Sequence, residues 1–141
     1  MIPLSVVVPT HGRTDLVTET IESLRRQTLD TFELVVTDDS PSPADRDAIA
    51  AVVRGYAAAT GRRAAYLFTA AGLGQARNTN QGLRAAQGAF VRILHSDDLL
   101  APAALASELT LLSDRRLGVR MLFHHVELTE KDLHRAAAGI L

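Results

Sequence analysis

The sequence predicts an α/β fold: a mostly parallel sheet of about five strands, with helices on both faces in a three-layer α/β/α arrangement. Short β-branched, apolar segments alternate along the chain with longer segments whose apolar residues recur at helical spacing. The strand segments are apolar almost throughout, which is typical of strands covered on both faces. Strands that are joined through helices pair in parallel, with right-handed crossovers.

The strands are predicted at 4–8, 32–37, 64–68 and 90–94, with a fifth candidate at 119–128. Each is a short apolar run bounded by polar, glycine or proline residues, and Pro9 is expected to end the first.

The helices are predicted at about 14–28, 44–59, 75–87, 102–114 and 129–138. Thr14 is expected to cap the first helix, and Gly88 is placed to stop the third. The third helix is expected to pack through an apolar face formed by Ala76, Thr79, Leu83 and Ala86.

Length and composition favour one globular domain over residues 1–141. A hydrophobic content of 47% excludes a disordered chain, and a net charge of −1 excludes a general basic surface for nucleic acid. The absence of cysteine excludes disulfides, thiolate zinc sites and cysteine nucleophiles. No signal peptide or transmembrane segment is expected, and the expected location is the cytoplasm, with any contact to the inner face of the membrane made through a partner.

Polar clusters follow each of the first four predicted strands, where ligands bind in open α/β sheets. The first strand leads into Pro9–Arg13, the second into Asp38–Ser40, the third into the turn Gly72–Gly74 with Arg77 beyond it, and the fourth into His95–Asp98. Parallel strands bring all four clusters to one edge of the sheet, which is more informative than any single motif.

Several carboxylates at one edge repel one another unless a cation neutralises them, and oxygen ligands of this kind suit Mg²⁺ or Mn²⁺ with substrate phosphates. A helix that begins near Gly74 and Gln75 offers N–H groups to an anion, and Arg77 adds a bidentate donor. The second-strand carboxylates could instead accept hydrogen bonds from a nucleobase or ribose. Together these features predict a metal-dependent site for a nucleoside diphosphate.

The sequence resembles the N-terminal, nucleotide-sugar-binding half of a family 2 glycosyltransferase, which has the Rossmann-like GT-A fold. The resemblance runs over about residues 4–128 and rests on six motifs in the family's order and spacing: Ser5–Arg13, Ser23–Thr28, Phe32–Ser40, Gly72–Asn78, Gly82–Gly88 and Leu94–Leu99.

The resemblance implies an inverting hexosyltransferase that uses a nucleotide-diphosphate sugar, by family habit a UDP-sugar, with Mn²⁺ or Mg²⁺ and an unknown glycan, lipid or protein acceptor. Asp39 is implied as the main contact to base and ribose, and Asp97 as the last acid of the family's metal-binding Asp-x-Asp. The metal ligands are expected to be Asp97 and Asp98, with His95 as a further candidate. The nucleotide-binding residues are expected to be Pro9, Thr10, His11, Arg13, Asp38, Asp39, Gly72, Arg77, Ser96 and Asp97.

The sequence departs from the family pattern at three places. His95 stands where the family usually has the first aspartate of Asp-x-Asp, and Ala71 replaces a common asparagine before the glycine turn. The chain is also expected to be C-terminally truncated relative to a full glycosyltransferase, so its acceptor site is not visible and its catalytic residue is unknown. Glu127 is the nearest candidate for the base, but its match is poor.

Other interpretations stay open beside this one. The leading alternative is a non-catalytic GT-A-like module that binds a nucleotide or a partner without transfer, and a homodimer is also left open. A nucleotidyltransferase would use a similar metal site, but it usually has a glycine-rich loop with a lysine after the first strand. A receiver domain would place its acid pair there and would need a lysine after the fifth strand. A dinucleotide fold is rejected because Arg77 stands where its third glycine belongs.

Overall fold

The computed structural model describes residues 1–122 and confirms the α/β prediction, with helices packed against a sheet of four parallel strands in this part of the chain. The elements are β1 (Leu4–Thr10), α1 (Thr14–Arg25), β2 (Phe32–Asp38), α2 (Pro43–Thr60), β3 (Ala64–Phe68), α3 (Gln75–Ala85), β4 (Phe90–Ile93) and α4 (Ala104–Ser113). Residues 119–122 form no strand. The rest of the predicted fifth strand, Glu127 and the predicted final helix lie outside the described residues.

The strand order is β3-β2-β1-β4, so β1 lies inside the sheet between β2 and β4. Its pairing with β2 runs from Leu4 opposite Phe32 to Thr10 opposite Asp38. The order in which strands are added changes side at β1: β2 and β3 lie on one side of β1, and β4 lies on the other. A crevice opens at such a switch point, beyond the carboxyl ends of the strands, and the polar clusters lie there as predicted.

The main core lies between one face of the sheet and helices α1 and α2. Apolar residues of β1 and β2 meet those of the helices, and nearly all are fully buried. This cluster includes Leu4, Val6, Val8, Phe32, Leu34, Val36, Val17, Ile21, Leu24, Ile49 and Val53. Each such side chain contributes about 1.5–3 kcal/mol through burial, which makes this face the principal source of stability.

Helix α3 covers the other face of the sheet, but not through the apolar residues predicted for it. Its buried residues are Asn78 and Gly82, whereas Leu83 is exposed. A Cβ built on Gly82 would lie 2.3 Å from Cγ1 of Val7, so the helix approaches the sheet at the closeness that only glycine permits. The predicted face was therefore wrong, because a close backbone approach and a polar anchor position this helix rather than an apolar stripe.

Two local expectations, for the end of β1 and for the cap of α1, are also corrected. Strand β1 continues through Pro9 to Thr10. The carbonyl of Val7 accepts a hydrogen bond from the amide of Leu94. The nitrogen of Pro9, two residues later, faces the same side of β1 but lies past the end of β4, so the sheet loses no hydrogen bond there. Thr14 is the first residue of α1 and not its cap, since that place belongs to Arg13, which makes no side-chain capping hydrogen bond.

Gly88 does not end α3, which already stops at Ala85. A Cβ on Gly88 would lie 2.5 Å from the backbone nitrogen of Ser5, and the Gly88 amide donates to the Ser5 hydroxyl at 2.8 Å. A glycine is therefore needed at position 88, because the chain there passes too close to the start of β1 for a side chain.

Gln27, which is buried, ties the end of α1 to the segment between β4 and α4. Its Nε2 donates to the carbonyl of Ala101 at 2.8 Å, and its Oε1 accepts from the amide of Leu105 at 3.1 Å. Thr20 on α1 donates to the carbonyl of Asp98 at 3.0 Å. Helix α1 thus holds in place the acidic segment after β4, which is His95–Asp98.

Within residues 1–122, none of the helices combines the length and the apolar character that crossing a membrane requires.

Candidate functional site

A cleft of about 680 Å³ opens beyond the carboxyl ends of β1, β2 and β4. It contains every predicted nucleotide-binding residue except Asp38 and Arg77. The residues that line it are Pro9, Thr10, His11, Arg13, Asp39, Gly72, Gly74, Gln75, Asn78, His95, Ser96 and Asp97. The polar clusters that the sequence places at four strand ends therefore form one cavity.

The loop after β1 turns sharply through two consecutive residues with left-handed backbone. Gly12 has φ +67°, and Arg13 has φ +53° and ψ +51°, a conformation that residues with side chains rarely adopt. The Gly12 amide donates to the hydroxyl of Ser40 at 2.6 Å, and the Thr10 hydroxyl donates to the carbonyl of Gly12 at 3.1 Å. These contacts from β1 and β2 hold the turn in its unusual conformation.

Asp38 is fully buried and supports the loop after β2 instead of facing the cleft. Its Oδ1 accepts from the amide of Ser40 at 2.8 Å and from the Ser40 hydroxyl, and its Oδ2 accepts from the hydroxyl of Tyr66 at 2.7 Å. Burial, and then the neighbouring Asp38 carboxylate, raise the pKa of Tyr66. Through Ser40 and Gly12, Asp38 acts on the shape of the β1 loop.

Asp39, with only 2% of its surface exposed, is the second-strand carboxylate that lines the cleft. Its Oδ2 accepts from the amide of Gly74 at 2.8 Å, and its Oδ1 lies 3.0 Å from Nδ1 of His11. Because a carboxylate only accepts, the ring nitrogen of His11 is the donor. Asp39 therefore joins the loop after β1 to the turn before α3.

The start of α3 is anchored by Asn78, a buried residue that sequence reasoning did not select. Its Nδ2 donates to the carbonyls of Thr10 and Thr37 at 3.0 and 3.2 Å, and its Oδ1 accepts from the hydroxyl of Thr69 at 3.2 Å. The sequence did offer one signal for Asn78: it is a polar residue in the first turn of a helix that must pack on an apolar sheet. Gly74 and Gln75, also not selected as site residues, line the cleft beside it.

Arg77 is exposed in the first turn of α3 and does not line the cleft. Its contact with a nucleotide stays a prediction. Helix α3 begins without a side-chain cap at Gly74, so its first turn keeps amide groups available to an anion at the edge of the cleft.

The segment after β4 brings His95, Ser96 and Asp97 to the opposite wall. Ser96 is buried, and Nδ1 of His95 lies 3.4 Å from Nε2 of Gln75. Oδ2 of Asp97 lies 3.2 Å from Nη1 of Arg13, which links the β4 segment to the β1 loop across the cleft. Asp98 is exposed and is not among the lining residues, so its role as a ligand stays a prediction.

The donor set fits a divalent ion that completes its coordination with phosphate. In the part of the chain that the structure describes, no three His, Asp or Glu side chains converge as a ready-made cage. Asp97 nevertheless presents a partly exposed carboxylate to the cleft. Mg²⁺, and Mn²⁺ in similar sites, are commonly held by one or two carboxylates together with substrate phosphates and water.

Comparison with known proteins places the chain in a group of transferases. The sequence model described as "Glycosyl transferase family 2" matches residues 5–136. A GalNAc(5)-diNAcBac-PP-undecaprenol beta-1,3-glucosyltransferase of Campylobacter jejuni is 33% identical over 129 residues, which are 92% of this chain and 39% of that protein. Validoxylamine A glucosyltransferase of Streptomyces hygroscopicus is 37% identical over 109 residues, or 75% of this chain and 24% of that protein. The chain thus spans well under half of either relative.

Solved structures agree with the sequence comparison. TarS 1–349 of S. aureus in complex with UDP-GlcNAc superposes with a TM-score of 0.66 at 29% identity, over 81% of this chain and 32% of that one. A mannosyltransferase of Pyrobaculum calidifontis, in complex with GDP-Man and Mn²⁺, superposes with a TM-score of 0.68 at 27% identity, over 79% and 32% of the two chains. The fold expected from the sequence is confirmed by these similarities.

Proposed function

Because the chain belongs to glycosyl transferase family 2, we propose that its cleft binds the nucleotide-diphosphate part of a UDP-sugar together with a divalent metal ion. The proposed reaction of the whole protein is an inverting transfer of a hexosyl group to an acceptor hydroxyl on a glycan, lipid or protein.

The observation that carries this proposal is that Asp39 and Asp97, from different strand ends, line one cleft. Asp39 is buried and sits beside the turn before α3, whereas Asp97 is partly exposed on the β4 wall. A buried, fixed carboxylate suits recognition of a nucleobase N–H or a ribose hydroxyl. A solvated carboxylate suits a metal ion that is shared with the diphosphate.

The metal supplies Lewis-acid stabilisation of the departing diphosphate when it is bound. The residues proposed to hold it are Asp97 and, beside it, Asp98, with His95 as a further candidate. Mn²⁺ or Mg²⁺ are the proposed ions, since carboxylate and phosphate oxygens are their preferred ligands. Arg77 is proposed to approach the nucleotide from the start of α3.

UDP is the proposed nucleotide because TarS, which is similar over most of this chain, has been crystallised with UDP and with UDP-GlcNAc. The mannosyltransferase that binds GDP-Man makes GDP the necessary comparison. Uracil is chemically compatible with this site because its N3–H can donate to the carboxylate of Asp39, as N3–H of thymine and N1–H of guanine also can.

Calorimetric titration of UDP, GDP and dTDP, each with and without Mn²⁺, tests the proposal directly. We expect UDP to bind in the presence of Mn²⁺ and to bind much more weakly without it. Asp39→Asn should weaken the binding of UDP, whereas Asp47→Asn, which alters an exposed aspartate of α2, should leave it unchanged. If none of the three nucleotides bound in the presence of Mn²⁺, the proposed donor site would be wrong.

A further inference from the structure

We propose that Arg13 changes its anionic partner: it neutralises Asp97 in the free protein, gives up Asp97 to a divalent ion that binds there, and pairs with the diphosphate when a nucleotide enters. This inference rests on the proposed function. It makes Arg13 a competitor of the metal ion for Asp97 and a partner of the metal in holding the nucleotide.

The contact between Arg13 and Asp97 is suited to exchange. It is a single ion pair of 3.2 Å between Nη1 and Oδ2, and the two side chains remain 58% and 36% exposed. Exposed ion pairs of this kind are weak because water solvates both partners. A divalent ion, which binds carboxylate oxygen more strongly, can therefore displace the guanidinium.

The backbone of Arg13 indicates that its placement is imposed by the fold. The residue has φ +53° at the cap position of α1, although its side chain makes no capping hydrogen bond. Left-handed backbone at a residue other than glycine persists where surrounding contacts enforce it, and such residues cluster at ligand sites. Here the carbonyl of Arg13 accepts from the amides of Leu16 and Val17, and Gly12 is held by Ser40. The turn therefore directs the guanidinium across the cleft.

Charge explains why the two roles alternate. A divalent ion on Asp97 would meet the guanidinium at the distance of an ion pair, and the two cations would repel each other. Arg13 lines the same cleft that is proposed to hold the diphosphate. Guanidinium groups bind phosphate through two parallel hydrogen bonds, so the diphosphate provides the released side chain with a new partner.

The exchange predicts opposite effects of one substitution on two binding reactions. In Arg13→Gln, free Mn²⁺ should bind about threefold more tightly, because the competing cation is gone. The same variant should bind UDP in saturating Mn²⁺ about tenfold more weakly, because the diphosphate loses a charged partner. Arg13→Lys should stay close to the parent for free Mn²⁺ and should recover only part of the UDP affinity, since an ammonium cannot bind bidentately.

Electron paramagnetic resonance of free Mn²⁺ and calorimetry of UDP provide the two readouts. Arg25→Gln is the matched control, because it removes the same charge from an exposed ion pair with Glu22 on α1. Asp97→Asn should lose the binding of free Mn²⁺ both alone and together with Arg13→Gln, because the carboxylate that the two cations compete for is gone. Thermal melting of each variant separates a loss of folding from a loss of binding.

Several results would overturn the exchange: Mn²⁺ affinity that is unchanged or lower in Arg13→Gln, no Mn²⁺ binding by the parent up to millimolar concentrations, or UDP affinity that survives the substitution. If the parent binds Mn²⁺ but no nucleotide, the proposed function fails and the transfer of Arg13 to a diphosphate fails with it. The competition for Asp97 would still be decided by the experiment with Mn²⁺ alone.

Discussion

Gly82 lies directly over Val7, so close that a Cβ at position 82 would stand 2.3 Å from Cγ1 of the valine and 3.3 Å from Cγ2 of Thr37. This contact sets the distance between α3 and the strands whose ends form the cleft. Since both partners are held within packed elements, neither can move aside without disturbing the site.

Gly82→Ala should therefore lower the free energy of unfolding by about 1–3 kcal/mol, the usual cost of overpacking, despite the better helix propensity of alanine. Gly55→Ala is the control, because Gly55 is also helical and a Cβ there has nothing within 4 Å. That variant should gain about 0.5–1 kcal/mol. Urea unfolding measures both, and equal effects of the two substitutions would contradict the close approach.

Asp97→Asn should abolish metal-dependent binding of UDP, because the amide keeps the shape of the side chain but loses the charge that holds the ion. Calorimetry with and without Mn²⁺ measures this. Asp15→Asn, which alters an exposed acid in the first turn of α1, is the control and should bind as the parent does. If Asp97→Asn bound UDP and Mn²⁺ as well as the parent, the metal assignment would be wrong.

Asp39→Ala should weaken the binding of UDP at least about tenfold, while the binding of pyrophosphate with Mn²⁺ should change much less. The carboxylate is proposed to contact the base, whereas pyrophosphate has none. The substitution also leaves the amide of Gly74 without its acceptor, so stability should fall by about 1–3 kcal/mol. Equal losses for both ligands would indicate that Asp39 only shapes the turn before α3.

Tyr66→Phe should lower stability by about 1–2 kcal/mol at neutral pH, since Asp38 loses a hydrogen bond but the tyrosine is only partly buried. The folded protein holds the pKa of Tyr66 above its unfolded value of about 10. This contribution is therefore fully present below pH 10 and declines as the pH rises beyond it.

Urea unfolding at pH 8, 10 and 11 tests this dependence. The difference between parent and Tyr66→Phe should shrink at the highest pH. A difference that stayed constant across the three pH values would show that folding does not raise the pKa of Tyr66.

Gln27→Ala should lower stability by about 1–3 kcal/mol, because the buried amide of Leu105 and the carbonyl of Ala101 lose their partner. It should also weaken Mn²⁺-dependent binding of UDP, because α1 would then hold the segment after β4 mainly through the hydrogen bond from Thr20 to Asp98. Gln81→Ala on the exposed side of α3 is the control and should change neither property. Destabilisation without any effect on binding would show that the acidic segment keeps its place by other contacts.

The positions of the strands and of their polar ends could be predicted because apolar runs and glycine turns are local signals. The different places of Asp38, which is buried beneath the loop after β2, and of Asp39, which lines the cleft, could not be predicted. Successive residues of a strand point in opposite directions, but the side that opens into a cleft depends on α3 and on the β1 loop. The apolar face predicted for α3 failed for a related reason. Periodicity identifies apolar stripes, whereas the contact of this helix depends on Gly82 and Asn78.

Each oxygen of Asp39 already accepts one hydrogen bond, from the amide of Gly74 and from Nδ1 of His11, and each keeps a second lone pair. On the proposed function, a base that enters the cleft must therefore donate to one of the remaining lone pairs of this carboxylate. Uracil can do this through N3–H, whereas the N3 of cytosine is an acceptor and would face the carboxylate with a lone pair. The site would then discriminate by the penalty of an unmatched acceptor rather than by the size of the ring.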